Sequence, residues 1–588
     1  MAVNKYYREE LDFLTREGKE FAQIYPQLTR FLDGKVVDPD VARLLEGFAF
    51  LTGKLREKIE DEFPELTHSM INMLWPNYLR PVPSMTIMQF AARDRAIDQG
   101  HEVAKGTQVD SIAVQGTQCR FRTCRPIKVY PLATQNVDVS YSRDISILDI
   151  TLDVLTKQPL NALGLDTLRF YLGGCDYNAQ TLSLWLSHHL ESFELVIDGT
   201  HFSLDKSTVK MVGFDRQDAI LPYPANAYEG YRIIQEYLTF PKAFSFFDVG
   251  SLAAALPPAA RDKIALRFTF NKTLPADARI ALDDFQLHCT PAINLFSHSA
   301  DPIDLDGKLT QQRIAPSSQY PSHYEVFSVD KVQGWLLDTD GRVRGKPRIY
   351  CAFESFQHDI ERARARSSLY YRLRVKDSIR NDGFDHFVSF VRDDETLCIN
   401  KNETISLDLT CSNRQLPLAL GIGDICLESD NTPAFVEFRN ITVPTATQRP
   451  VLDGSLLWTL ISNLSLNYLS LLSKDALQSV LRAYDFRALV DRQAEKIAKQ
   501  RLNGVVAIET QPTDRIYKGV AVRGLKTRLS LKQSCFACEG DLYLFGALLS
   551  QFFSLYASIN SFHELEVLNV DNQELYKWNA QAGQQPLI

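Results

Sequence analysis

Apolar residues near the N-terminus fall at helical intervals. Tyr7, Leu11, Leu14, Gly18, Phe21 and Tyr25 stand 4, 3, 4, 3 and 4 apart, which lines them along one seam of a helix that Pro26 ends. At Asp38-Pro39 an acid precedes a proline. That pair opens a second helix, because a capping carboxylate accepts from free first-turn amides and proline has no amide to leave unpaired. The apolar stripe of this helix is Val41, Leu44, Leu45, Phe48, Leu51, Leu55 and Ile59. Phe63-Pro64 opens a third helix that runs to Trp75-Pro76. A seam so regular fits a hairpin closed on itself or a bundle shared with another chain, and pattern alone favours neither.

Beyond Pro81-Val82-Pro83 the period shortens to two, and short β-rich runs alternate with Gly, Pro, Asn and Asp. Strands are expected at Ser84–Phe90, Thr181–Leu186, Phe193–Ile197 and Ile264–Phe270. Glu403 to Leu409 alternates Thr404, Ser406 and Asp408 with Ile405, Leu407 and Leu409, the mark of a half-buried strand. Helical spacing returns between Ser455 and Arg501, and short strands with a helix from Leu542 close the chain. Helices, then sheets, then helices mixed with strands predict an α+β multidomain protein. Its segments are an N-terminal helical region (1–83), a β-rich domain (84–215), a second β-rich domain (216–445) and an α+β C-terminal domain (446–588). The β-rich middle is expected to form sandwich or barrel-like sheets.

Two uncharged stretches approach membrane-spanning length. In Leu542–Phe562, however, Ser550, Ser554, Ser558 and Ser561 recur at helical spacing, and in Leu456–Leu472 so do Thr459, Asn463, Asn467 and Ser470. A narrow polar stripe on an apolar helix reads as core or interface. The 64 basic and 72 acidic residues leave a net charge of −8, which argues against nucleic-acid binding, since that requires a cationic surface. An apolar share of 45% excludes disorder as the main state. The first ten residues carry no apolar signal core, and ten scattered cysteines make no disulfide scaffold, so a reducing cytoplasm is the expected compartment.

Catalytic motifs fail one after another. Cys535-Phe536-Ala537-Cys538 lacks the second ligand pair of a zinc site, and Cys119 and Cys124 make a weaker pair still. His188-His189 on a strand would point to opposite faces. His563-Glu564 begins a metalloprotease-like run, but Val567 holds the place of the second histidine. Gly421-Ile422-Gly423-Asp424 reads as a turn. Arg362, Arg364, Arg366, Arg372 and Arg374 form the densest basic cluster, fitting a solvated strand face or, less readily, an acidic partner. No catalytic residue, cofactor or metal ligand is assigned. A carbohydrate-active enzyme or carbohydrate-binding protein built on the β-rich middle is the alternative, and would need paired carboxylates in a cleft.

Longer motifs identify a family. Tyr6-Tyr7-x-x-Glu10-Leu11, Asp38-Pro39-x-Val41-x-Arg43-Leu44-Leu45-Glu46-Gly47-Phe48-Ala49-Phe50-Leu51 and Leu74-Trp75-Pro76-x-Tyr78-x-Arg80-Pro81-x-Pro83-Ser84-Met85 resemble the TssF family of type VI secretion baseplates. The likeness continues through Tyr231-Arg232-x-x-Gln235-Glu236-Tyr237, Phe240-Pro241-x-x-Phe244, Asn294-Leu295-Phe296, Cys411-x-Asn413-Arg414-x-Leu416-Pro417 and Leu466-Asn467-Tyr468-Leu469. Departures are local, with Leu238 where an aromatic is expected and Ile233-Ile234 in place of leucines.

The resemblance implies a non-enzymatic wedge subunit related to contractile-tail phage baseplates. Its expected partners are TssG, TssK, TssE, a second TssF copy, the VgrG spike and neighbouring wedges. The expected location is cytoplasmic, docked at the inner face of the inner membrane through the assembled baseplate, without insertion. Joined to the N-terminal seam, it marks Tyr7, Leu11, Leu14, Phe21, Leu44, Phe48 and Leu51 as a protein interface.

Overall fold

The computed structural model describes residues 7–583 apart from 9, 19–38, 61–67, 69–70, 73–74, 94–96, 157, 198, 224–229, 257–262, 306–308, 337–344, 354–368, 379–382, 393–402, 430, 453–472, 518–519 and 559. The chain forms two compact units. The smaller comprises Met1–Met70 with Asp453–Ile461. Its described residues are helical at 10–18 and from Pro39 to Glu60, so the second helix starts at the proline that the sequence marks. Most of the expected third helix lies outside the described residues.

The larger unit, Ile71–Leu452 with Ser462–Ile588, is mixed α+β and rich in strands. Met85–Ala92 lies inside a six-stranded sheet, between Cys289–Ile293 and Val436–Asn440, both antiparallel to it. Partners so remote in sequence weave the middle of the chain into one layer. The expected half-buried strand is Glu403–Ser412, whose inward Ile405, Leu407 and Leu409 are buried. It belongs to an eight-stranded sheet whose strands send Phe296, Val332, Tyr350, Tyr371, Val388 and Leu407 into a single core. A lone sheet whose inner side chains all meet must curl, which gives the barrel-like form.

Lys263–Phe270 is the middle strand of a five-stranded sheet, flanked by Leu190–Ile197 and Ser146–Val154. The expected strand at Thr181–Leu186 is instead a helix, Asp176–Leu184, that widens into a π-turn over Trp185–His189. Thr181 through Leu186 are all buried, and a run buried on every side carries no periodicity to separate helix from strand. The helix is set by its ends and its neighbour. Cys175 caps it, and it packs on the helix Glu539–Tyr556. A Cβ at Gly540 would collide with the Gln180 carbonyl, so glycine permits that approach.

In the C-terminal sheet Val520–Leu531 runs parallel to Phe562–Asn569, with the helix Glu539–Tyr556 as the crossover. This helix is shorter than expected. It ends at Tyr556, which leaves Ser558 and Ser561 of the serine row outside it. Ser550 and Ser554 are buried, and the Ser554 hydroxyl donates to the Gln551 carbonyl at 2.8 Å. Among the described residues no helix is long and apolar enough to cross a membrane. The stripe at Leu456–Leu472 lies outside the described residues.

Candidate functional site

The helix Pro39–Glu60 divides its apolar residues into two flanks. Val41 and Leu45 are half-buried and Ala49 is buried, whereas Leu44, Phe48 and Leu51 remain 73%, 55% and 61% exposed. Spacings of four and three place the exposed three in one row. The sequence shows a single stripe because both flanks are apolar. Tyr7, Leu11 and Leu14 on the first helix are half-buried, and Phe21 lies outside the described residues. An uncovered row of large apolar side chains on a helix fits the groove of another protein surface.

The motifs of the larger unit meet in its interior. Trp75 and Tyr78 pack at ring distances of 6.2 Å on Tyr231 and 5.9 Å on Tyr484, and those two tyrosines stack at 4.6 Å. One turn along the helix Gly230–Thr239, Arg232 pairs with Glu236 at 3.0 Å, the side chains 2% and 0% exposed. The other Glu236 oxygen accepts the backbone amides of Ile220 and Leu221 at 2.8 and 3.1 Å. Arg232 also donates to the carbonyls of Phe214 and Asp215. A buried ion pair needs such further bonds to offset its desolvation. Tyr237 donates to Asp541 of the C-terminal helix at 3.1 Å, and Arg501 binds the same carboxylate.

Asn294 and Asn413, from two other motifs, join the six-stranded sheet to the curled one. The Asn294 amide donates to Asn413 Oδ1 at 2.9 Å and to the Arg120 carbonyl at 2.8 Å. Its own carbonyl oxygen accepts the Asn413 backbone amide at 2.6 Å. Both side chains are fully buried.

The chemistry-bearing residues divide similarly. Cys535 and Cys538 are unpaired, and burial raises the Cys538 thiol pKa, the opposite of what a reactive thiolate needs. Burial pushes the Cys119 and Cys124 thiols up to about 11 and about 12. His563 is buried in a strand and bonds Thr527 at 2.9 Å. Gly421–Asp424 is a turn closed by the Gly421 amide on the Asp424 carboxylate at 2.7 Å. Arg372 stacks over Phe353 at 3.8 Å while Tyr371 faces the core, and Arg362, Arg364 and Arg366 lie outside the described residues. A cavity of about 410 Å³ beside Arg232 has a cationic lining that includes Lys105, Arg122 and Arg216. Two of its cations are engaged with the fold, Lys105 with the Ala219 carbonyl at 3.2 Å and Arg232 as described above.

The histidine pair departs from expectation. The π-turn, in place of a strand, sets the rings of His188 and His189 4.8 Å apart, and Glu574 completes a cluster. Nothing in the sequence signals a partner so distant.

The family described as type VI secretion system, TssF, matches residues 2–585. Type VI secretion system component TssF1 of Pseudomonas aeruginosa is 29% identical, with the alignment covering 99% of each chain. One solved chain, from a TssK-TssF-TssG baseplate subcomplex seen by cryo-electron microscopy, is 30% identical with a TM-score of 0.77, and the match covers 93% of this chain and 99% of that one. Another, from a type VI secretion baseplate complex, is 25% identical with a TM-score of 0.63, and the match covers 100% of both. Matching motifs, fold and full-length coverage agree: this chain belongs to the TssF family of type VI secretion baseplate components, a structural family and not an enzyme family.

Proposed function

We propose that this chain is a wedge subunit of the baseplate and acts by binding rather than by catalysis. It assembles with TssG, TssK, TssE and a second copy of itself around the VgrG spike. There it forms part of the platform on which tube and contractile sheath begin, in the cytoplasm at the inner face of the inner membrane. The solved relative held in a TssK-TssF-TssG subcomplex supports the first two partners. The observation that carries the reading is the exposed row Leu44, Phe48 and Leu51 on the helix Pro39–Glu60. Large apolar side chains in register are costly to leave in water, and a partner helix removes that cost. Tyr7, Leu11 and Leu14 extend the same interface along the first helix, and the sequence puts Phe21 on the same seam.

Native mass spectrometry of the chain, alone and co-expressed with its host's TssG, tests this. Two copies of the chain per TssG are expected. A stable monomer that ignores TssG would overturn the wedge and make the β-rich middle the place to look for ligands.

A further inference from the structure

The cluster at the π-turn is built as a cation site. π-Turns interrupt helices mostly where a particular side-chain placement is needed. Here the turn leads into the strand Leu190–Ile197 and brings two adjacent imidazoles to one side. One ligand atom from each of His188, His189 and Glu574 lies within 4.8 Å of the others. The His189 Nε2 to Glu574 Oε1 separation is 3.5 Å. Tetrahedral zinc, with bonds of about 2.0–2.1 Å, sets neighbouring ligands roughly 3.4 Å apart. That edge is already in place.

His189 is 4% exposed and its Nε2 has no hydrogen-bond partner. Its Nδ1 lies 3.2 Å from the side-chain Oδ1 of Asn271, and the Asn271 backbone N–H donates to the His189 carbonyl at 3.0 Å. With Nδ1–H donating to the amide oxygen, the lone pair of Nε2 faces the carboxylate. A ligating histidine is held in the same way, by a bond from its other nitrogen. Two acceptors facing one another need a cation between them. The other tautomer would direct Nε2–H at Glu574 across 3.5 Å, beyond the roughly 2.7–2.9 Å of a charge-assisted hydrogen bond.

The surroundings fit a divalent ion. Lys272 holds the second oxygen of Glu574 at 2.6 Å and lies 3.8 Å from Glu539. Glu539 also accepts from Tyr576 at 2.6 Å and Asn572 at 2.8 Å. Two carboxylates beside one ammonium leave one negative charge for the imidazoles to share with an ion. We propose that His188, His189 and Glu574 bind a zinc-class divalent ion that pins the π-turn to the C-terminal sheet. Two imidazoles and one carboxylate suit zinc, cobalt or nickel rather than magnesium or calcium, which take oxygen ligands. Lys272 stays on the non-ligating oxygen, and a water fills the fourth position.

The full chain, purified without a polyhistidine tag and stripped with chelator, is titrated with Zn2+ and Co2+. Mass-spectrometric metal analysis, the visible spectrum of bound Co2+ and the melting temperature are read. Expected are one ion per chain, a tetrahedral Co2+ spectrum without thiolate bands, and a raised melting temperature. His189→Gln and Glu574→Gln should bind Co2+ about 100-fold or more weakly. If His189→Gln does not fold, the half-exposed His188→Asn reads the same loss. Thiolate bands would place the ion at Cys535 and Cys538 and overturn the proposal. So would equal binding by wild type and variants, or no binding by wild type.

Discussion

Replacing Leu44, Phe48 and Leu51 together by glutamine separates an interface from a core. Complete burial of a leucine or phenylalanine contributes about 1.5–3 kcal/mol. With exposures of 73%, 55% and 61%, each still has about 1–2 kcal/mol to gain, roughly 4 kcal/mol for the row. Glutamine keeps helix propensity close to that of leucine, so the helix itself is not penalised. The triple variant should therefore unfold within about 1 kcal/mol of wild type, as exposed substitutions do. Its affinity for TssG should fall about 10³-fold, at 1.4 kcal/mol per decade. Binding measured by interferometry on purified TssG, beside denaturant melts of both chains, reads the two numbers. An affinity within threefold of wild type, or a variant that loses stability rather than binding, refutes the assignment.

Glu236→Gln should destabilise the chain by about 3–5 kcal/mol, because it leaves the buried Arg232 guanidinium without its counter-charge; a melt within 1 kcal/mol of wild type would show that the pair is dispensable. Asn413→Leu removes the acceptor of both the Asn294 side chain and the Arg120 amide, at about 1–3 kcal/mol for each orphaned group. Hydrogen exchange should then accelerate at Arg120, and unchanged protection there would contradict the joint. His288 Nε2 accepts the Tyr130 amide at 3.1 Å, and burial pushes its pKa down to about 4. A folded pKa below the unfolded value of about 6.5 gives stability that is complete above pH 6.5 and is lost as pH falls towards 4, by about 3 kcal/mol. Chelator-treated wild type should lose at least that much, because burial lowers the His386 and His563 pKa values in the same way, and His288→Gln should make the acid loss smaller by about 3 kcal/mol. A parallel slope in the variant would assign the acid loss elsewhere.

What the chain discloses in sequence depends on how evenly each element divides its faces. Glu403–Ser412 alternates because one side meets the curled core and the other does not, so its register is legible. Pro39–Glu60 is legible as a helix, but not in the split between buried Ala49 and exposed Phe48, since a partner's groove and the chain's own interior select the same residue types. Thr181–Leu186 shows no period because every side is covered, and the π-turn that follows has no compositional mark. The cluster of His188, His189 and Glu574 depends on that turn and was illegible with it.

The motifs that reveal the family are of yet another kind. Asn294 with Asn413 and Trp75 with Tyr231 lie at joints where remote segments meet, and Arg232 with Glu236 ties its helix to the chain that precedes it. A buried polar or aromatic group accepts few replacements, because a lost partner leaves a desolvated charge or donor behind. Such residues hold the fold in shape and are recognisable across long sequence distances. A row proposed to meet a partner needs only to be apolar and in register, which many sequences satisfy. Family membership is therefore written in the interior of this chain, and the proposed assembly surface on a helix whose sequence alone does not say which way it faces.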